Sequence, residues 1–245
     1  MGRLLRAAVS GTGSCVPSRV VGNDRFAETL DTSDEWIRTR TGIRERRYAG
    51  PAETSATLGT DAAAAAIDAA GLEPSDIDLI ICATVTPDLM CPSAACLIQA
   101  GLGCRQIPAF DLAAGCSGFL YALGTAEQFI ASGAAKHVLV VGADVLSRIC
   151  DFADRNTCIL FGDGGGAVVL SATESPSVGI HKVRMYADGT RQSMIQVPSM
   201  VTPNPPPGTD TLPQLEYLRM QGREVFKFAV IKLTEIIAQG LEDCK

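Results

Sequence analysis

The sequence predicts an α/β fold: a largely parallel sheet with helices on both of its faces. Three observations carry that prediction. Apolar runs of strand length alternate with amphipathic segments of helix length. Two of the runs, 78–85 and 137–142, are apolar almost throughout, the mark of strands covered on both faces. The chain is also poor in aromatic residues (5%) and rich in Ala and Gly, which suits close packing of helices on a sheet.

Taken in order, residues 4–11 read as a strand, with Gly11 and Gly13 turning the chain after it. Residues 54–70 read as an Ala-rich helix that Gly71 stops. Residues 78–85 form the buried strand, 93–100 a short helix and 107–112 another strand. Residues 116–132 read as a helix, because Phe119, Leu120, Leu123, Ala126, Phe129 and Ile130 recur at helical spacing. Residues 137–142 follow as a buried strand. Residues 158–161 and 167–171 then read as two strands of a hairpin, joined by the glycine-rich 162–166. The composition shifts near 173–177, which places a domain boundary there: 1–173, then 174–245. In the second part, 179–186 alternates like a strand. Residues 198–213 hold six of the 13 prolines and are read as irregular, and 218–241 as a long helix with one apolar side. A strand and a helix with no further strands to pack against suggest a second unit that is incomplete.

Composition narrows the function. A 47% hydrophobic and 20% charged balance is that of a globular chain, not a disordered one. A net charge of −6 argues against nucleic acid as the main partner. No run approaches the ~18 apolar residues of a membrane span. The N-terminus lacks the long apolar region of a secretory signal, and Arg6 stands where a myristoylation signal wants Ser or Thr. Nine scattered cysteines without a C-x-x-C pair point to a reducing compartment and no disulfide framework, so a cytoplasmic location is expected. Cys91, Cys96 and Cys104 are read as small core residues rather than metal ligands. A dinucleotide-binding fingerprint at Gly11-Thr-Gly13 fails on spacing, since Val16 takes its last glycine position and Pro17 follows.

Cys116 is the candidate nucleophile. It lies in Asp111-Leu-Ala-Ala-Gly-Cys-Ser-Gly118, between an apolar strand and an amphipathic helix. Unpaired N–H groups and the dipole at a helix start stabilise a developing thiolate. The small neighbours Gly115, Ser117 and Gly118 are read as room for another molecule to approach the sulfur. A second feature is the cluster Arg38, Arg40, Arg44, Arg46 and Arg47. Such a run is either a solvated face or a landing site for phosphates, which guanidinium groups bind bidentately.

These residues carry a family resemblance. Residues 31–46, Pro92-Ser-Ala-Ala-Cys96, the Cys116 segment, 150–157, Phe161-Gly-Asp-Gly164 and Met220-Gln-Gly-Arg-Glu-Val-Phe-Lys227 run in the order of β-ketoacyl-acyl-carrier-protein synthase III, a thiolase-like condensing enzyme. The resemblance implies a thiolase-like layered fold, with the first half complete and the second truncated. It implies that Cys116 takes the acyl group of an acyl-coenzyme A, acetyl first among them, and then condenses it with malonyl carrier protein. Coenzyme A is a substrate, so no cofactor and no metal is implied. The implied partners are acyl-coenzyme A, the acyl-carrier protein and a second copy of the chain as a homodimer. Trp36 matches a residue lying against adenine, Arg40 and Arg155 match cations at the nucleotide, Thr32 a nearby polar contact and Phe226 a wall of the pantetheine tunnel. Cys91 replaces a large aromatic of the family, which leaves room for a longer or branched primer. The family's catalytic His and Asn have no counterpart, since His137 and His181 fall on neither motif. A polyketide- or quinolone-type synthase of the same fold and a non-catalytic acyl-coenzyme A or carrier-protein binding fragment are the alternatives.

Overall fold

A computed structural model describes residues 5–198 and 216–243. The elements run β1 (Arg6–Cys15), β2 (Arg19–Gly22), α1 (Asp24–Ala27), α2 (Asp34–Thr41), β3 (Glu45–Tyr48) and α3 (Ser55–Ala69). Then come β4 (Leu79–Ala83), α4 (Ala94–Leu102), β5 (Ala109–Leu112), α5 (Gly118–Ala131), β6 (His137–Val145), α6 (Arg155–Cys158) and β7 (Asp163–Thr173). The pair β8 (Ile195–Gln196) and β9 (Arg219–Met220) precedes α7 (Gly222–Asp243). The chain divides into two compact units.

The first unit comprises Met1–Val20, Arg47–Val145 and Asp163–Met185. Its five-stranded sheet has the order β1-β7-β6-β4-β5. Strand β4 pairs parallel with β5 and β6, while β7 runs antiparallel to both β6 and β1. Four strands therefore share one direction and β7 opposes them. Alternate residues of the strands serve opposite faces. Ile80, Cys82, Leu139 and Val141 pack with α3 and α4 through Ala62, Ala66 and Ile98. Leu79, Ile81, Val138 and Val140 pack with α5 through Ala122, Ala126 and Ile130. Helix α3 starts at an N-cap, Thr54, whose hydroxyl accepts from Thr57 N while the Thr57 side chain accepts in return.

Two readings of glycine are corrected here. Gly11 and Gly13 do not turn the chain, since β1 runs through both with a bulge between Val9 and Gly11. Gly164–Gly166 do not form a hairpin turn; they lie inside β7, which pairs on both sides. The cause is the closeness of α3. A Cβ on Gly13 would lie 2.1 Å from Ala62 O, and one on Gly165 would lie 2.8 Å from Leu58 O. Glycine is present because the helix backbone occupies the space of a side chain. Residues 158–161, read as the other hairpin strand, are instead the end of α6 and the coil after it.

The expected strand over 179–186 is also absent; the segment is irregular, and Ile180 N donates to Ala7 O. Its alternation reflects packing rather than pairing: Val183 lies beside Gly124 of α5, where a Cβ would meet it at 3.0 Å.

The second unit comprises Val21–Arg46, Leu146–Gly162 and the chain from Tyr186 onward. It holds α1, α2, α6 and α7. The expected long helix begins at Gly222 rather than near 218, because Arg219–Met220 pair with Ile195–Gln196. The proline-rich segment lies largely outside the described residues. Helix α7 has no fully buried residue, and its apolar Phe226, Val230, Leu233, Ile237 and Leu241 are exposed.

Candidate active site

Cys116 stands in the tight turn Gly115–Ser117 that leads from β5 into α5, with its side chain exposed. The C-terminal ends of parallel strands are where α/β folds place their chemistry. Gly115 has φ +56°, a left-handed conformation that strains any residue with a Cβ. Gly118 serves packing instead. A Cβ there would lie 3.3 Å from the Ala83 side chain, so glycine seats the head of α5 against β4. A Cβ on Gly142 would press on the Phe119 ring at 3.0 Å, which fixes the same helix end against β6. Of the three small neighbours, Gly118 therefore serves the sheet rather than the approach to the sulfur.

Three carboxylates hold the surrounding loops. Asp111 accepts from Ala94 N and Ala95 N, both at 2.8 Å, and so caps α4 from β5. Asp144 Oδ1 accepts from Thr84 Oγ1, Val85 N and both the N–H and the hydroxyl of Thr86. Asp88 accepts from Ala56 N at the start of α3. Sequence reasoning missed these. Asp111 and Asp144 each stand at the end of an apolar run, where a partly buried carboxylate needs N–H partners, and that was the available signal.

Four other thiols are raised by their surroundings. Burial, followed by Asp111, Asp144 and Asp88, pushes the Cys82 thiol well up. Burial and then Asp154 push Cys158 up to about 11. Burial raises Cys104 as well, and Cys15 is raised by burial and then by Asp61. Such thiols hold their protons at neutral pH and are poor nucleophiles. Cys91 is exposed in the loop between β4 and α4. His137 Nδ1 lies 2.8 Å from Ser171 Oγ, and His181 Nδ1 lies 3.0 Å from Arg6 Nη1.

The second unit brings three of the predicted nucleotide-binding residues together. Helix α2 starts at Ser33, whose hydroxyl accepts from Trp36 N, and stops at Gly42 with φ +75°. One turn apart on α2, Arg40 lies over the Trp36 ring at 4.2 Å from its centroid. Arg155, the first residue of α6, lies over the same ring at 4.8 Å. Arg155 Nη1 also contacts the Asp31 carbonyl and lies 3.5 Å from the Asp31 carboxylate. Thr32 Oγ1 is buried without a hydrogen-bond partner among the described residues, an unspent polar group next to this cluster in sequence. Phe226, in contrast, stands 71% exposed on the first turns of α7. It is not a core residue.

The arginine cluster proves to be several things. Arg38 pairs with Asp34 one turn away, Arg40 stacks on Trp36 and Arg44 is exposed. Arg47 donates to Pro17 O, and Arg46 is buried.

An exposed cysteine thus stands at the head of the helix that follows β5, on a mixed five-stranded sheet covered on both faces. The family model for 3-oxoacyl-[acyl-carrier-protein (ACP)] synthase III matches residues 110–189, the segment that contains Cys116. A β-ketoacyl-[acyl-carrier-protein] synthase III of Rhizorhabdus wittichii is 50% identical over 97% of this chain and 72% of its own length. The crystal structure of 3-oxoacyl-[acyl-carrier-protein] synthase III from Aquifex aeolicus is 45% identical, with TM-score 0.86 over 97% of this chain and 71% of that one. A priming β-ketosynthase of the R1128 polyketide pathway is 34% identical, with TM-score 0.83 over 95% of this chain and 68% of that one. The chain belongs to the β-ketoacyl-[acyl-carrier-protein] synthase III family, condensing acyltransferases of fatty-acid initiation.

Proposed function

We propose that Cys116 captures the acyl group of an acyl-coenzyme A, with acetyl as the first primer to test. The sulfur of Cys116 attacks the thioester carbonyl, a new carbon–sulfur bond forms, and the coenzyme A thiolate leaves. The observation that carries this reading is the exposed Cys116 at the head of α5, inside the segment that the family model matches. Its own backbone N–H is one donor for the tetrahedral oxyanion. The acyl-cysteine is then the electrophile for the carbanion that malonyl carrier protein supplies when it loses carbon dioxide.

Trp36, Arg40 and Arg155 hold the nucleotide end of coenzyme A. The indole offers a face for adenine, and the guanidinium groups pair with phosphate. Thr32 Oγ1, which lacks a partner among the described residues, gives that end a polar contact. Phe226 offers an exposed apolar face for the pantetheine arm. A nucleophile-bearing half over 1–173 and a second part over 174–245 are supported by the end of β7 at Thr173, although the compact units group 21–46 and 146–162 with the chain from Tyr186 onward. A homodimer is supported by β5, which forms the edge of its sheet and offers a pairing surface to a second copy. The reaction routes no step through a metal or cofactor. No described helix is long and apolar enough to cross a membrane, and a cytoplasmic location rests on the scattered spacing of the nine cysteines, none in a C-x-x-C pair.

Mass spectrometry after incubation with acetyl-coenzyme A tests the central step. The native chain should carry one acetyl adduct on the peptide containing Cys116, and Cys116→Ala should carry none. An adduct that persists in the alanine variant would place the nucleophile elsewhere. Binding without an adduct would favour a coenzyme A-binding protein over an acyl carrier.

A further inference from the structure

We propose that Arg46 is a positioning residue for the Trp36 cluster: its guanidinium ties together the two helices that present Trp36, Arg40 and Arg155. The inference rests on the reading of that cluster as the nucleotide holder. Arg46 is 7% exposed. Its Nη2 donates to Asn23 Oδ1 at 2.8 Å and to Ile159 O at 2.9 Å, and its Nη1 donates to Val21 O at 3.1 Å. The guanidinium also lies over the Phe26 ring, 4.6 Å from its centroid.

Asn23 carries the connection onward. It is 2% exposed, and its Nδ2 donates to Asp34 Oδ1 and to Ile43 O, both at 2.8 Å. Asp34 opens α2, and Ile43 follows the Gly42 that ends it. Ile159 is the C-cap of α6. From one guanidinium, hydrogen bonds therefore reach both ends of the helix bearing Trp36 and Arg40, and the end of the helix bearing Arg155. The ring contacts at Trp36 depend on the placement of α2 against α6. Both belong to this same unit, and both are short, so each needs outside support to hold its place.

The geometry calls for arginine in particular. Its planar fork spends two nitrogens on three acceptors that diverge in direction, whereas a lysine ammonium is a compact point charge on a flexible stem. Lysine would preserve the charge and forfeit the simultaneous hold on Asn23 and Ile159.

Trp36 is the sole tryptophan of the chain, so its fluorescence reports this cluster directly. The test uses Arg46→Lys in the full chain, with folding checked by circular dichroism, and coenzyme A as the titrant. The free variant should show a shifted Trp36 emission, and coenzyme A should bind about ten-fold more weakly, as loss of one charge-assisted hydrogen bond implies. Alkylation of Cys116 by iodoacetamide should keep its native rate. A folded Arg46→Lys with native emission and native affinity would overturn the proposal. Parallel loss of affinity and of native Cys116 reactivity would also overturn it, since that assigns a general structural role. Where Arg46→Lys fails to fold, Asn23→Ala cuts the branch to α2 and is judged by the same readings. Where the native chain itself does not bind coenzyme A, the nucleotide reading fails. The emission of the free variant then still decides whether Arg46 positions the cluster.

Discussion

Replacing Gly13 by alanine should loosen the first unit, whereas the same change at Gly166, close by on the neighbouring strand, should not. A Cβ on Gly13 would stand 2.1 Å from Ala62 O, 2.5 Å from Ala66 N and 2.8 Å from the Ala65 side chain. Two of these are backbone atoms of α3, which no rotamer change can move. Carbon contacts are comfortable at about 3.5–4.0 Å, so α3 must retreat from the sheet by about 1 Å. Such a retreat opens the interface that Ala62, Ala63 and Ala66 make with β1, β6 and β7. Overpacking in a core costs ~1–3 kcal/mol, and a clash with helix backbone belongs near ~3 kcal/mol. At about 2–4 °C per kcal/mol for a chain of this size, Gly13→Ala should lower Tm by about 6–12 °C. On Gly166 the nearest atom to an added Cβ is Gly13 O at 3.9 Å, so alanine there should be neutral or stabilising by up to ~1 kcal/mol. Thermal melts followed by circular dichroism, with denaturant midpoints in parallel, measure both. Equal melting of the two variants would refute the claim that α3 sets the glycines of this sheet.

Two further predictions concern acid stability and nucleotide affinity. Burial opposes ionisation of Asp78, but the N–H groups of His137 and Lys136 and the Arg105 guanidinium outweigh it and hold the carboxyl below its usual range. Burial, then Lys136, holds His137 below its usual value. In both cases the unfolded chain takes the proton first, so stability rises with pH and is lost on acidification. The His137 loss begins as pH falls through about 6.5, and the Asp78 loss below about 3.9. Denaturant midpoints should fall between pH 7 and 5, and His137→Asn should flatten that slope; an unchanged slope would refute the assignment. Arg155→Ala should weaken coenzyme A binding by about 3- to 10-fold through loss of a cation–aromatic contact and a phosphate partner, read by Trp36 fluorescence. Unchanged affinity would remove Arg155 from the nucleotide site.

Periodicity exposed the elements whose burial is two-sided or whose ends are capped, and it failed where a residue type answers to a neighbour distant in sequence. Strand β4 was legible because all five residues from Leu79 to Ala83 are buried, which leaves no polar alternation to mislead. Helix α3 was legible at both ends, from the Thr54 cap and from Gly71, whose φ is +65°. The glycines of β1 and β7 were misread as turns because a local window sees their freedom but not the α3 backbone that excludes a side chain. The five arginines from Arg38 to Arg47 show the same limit for the site. Their number left a solvated face and a phosphate landing both open, yet Arg46 and Arg47 bond backbone carbonyls and Arg38 pairs within its own helix. Arg40 alone of the five reaches Trp36, and its companion Arg155 comes from a segment more than a hundred residues later. Charge density therefore identified the neighbourhood, and family resemblance supplied the pairing. What holds that pairing in place is a buried guanidinium that counts, in any one-dimensional reading, as one more surface charge.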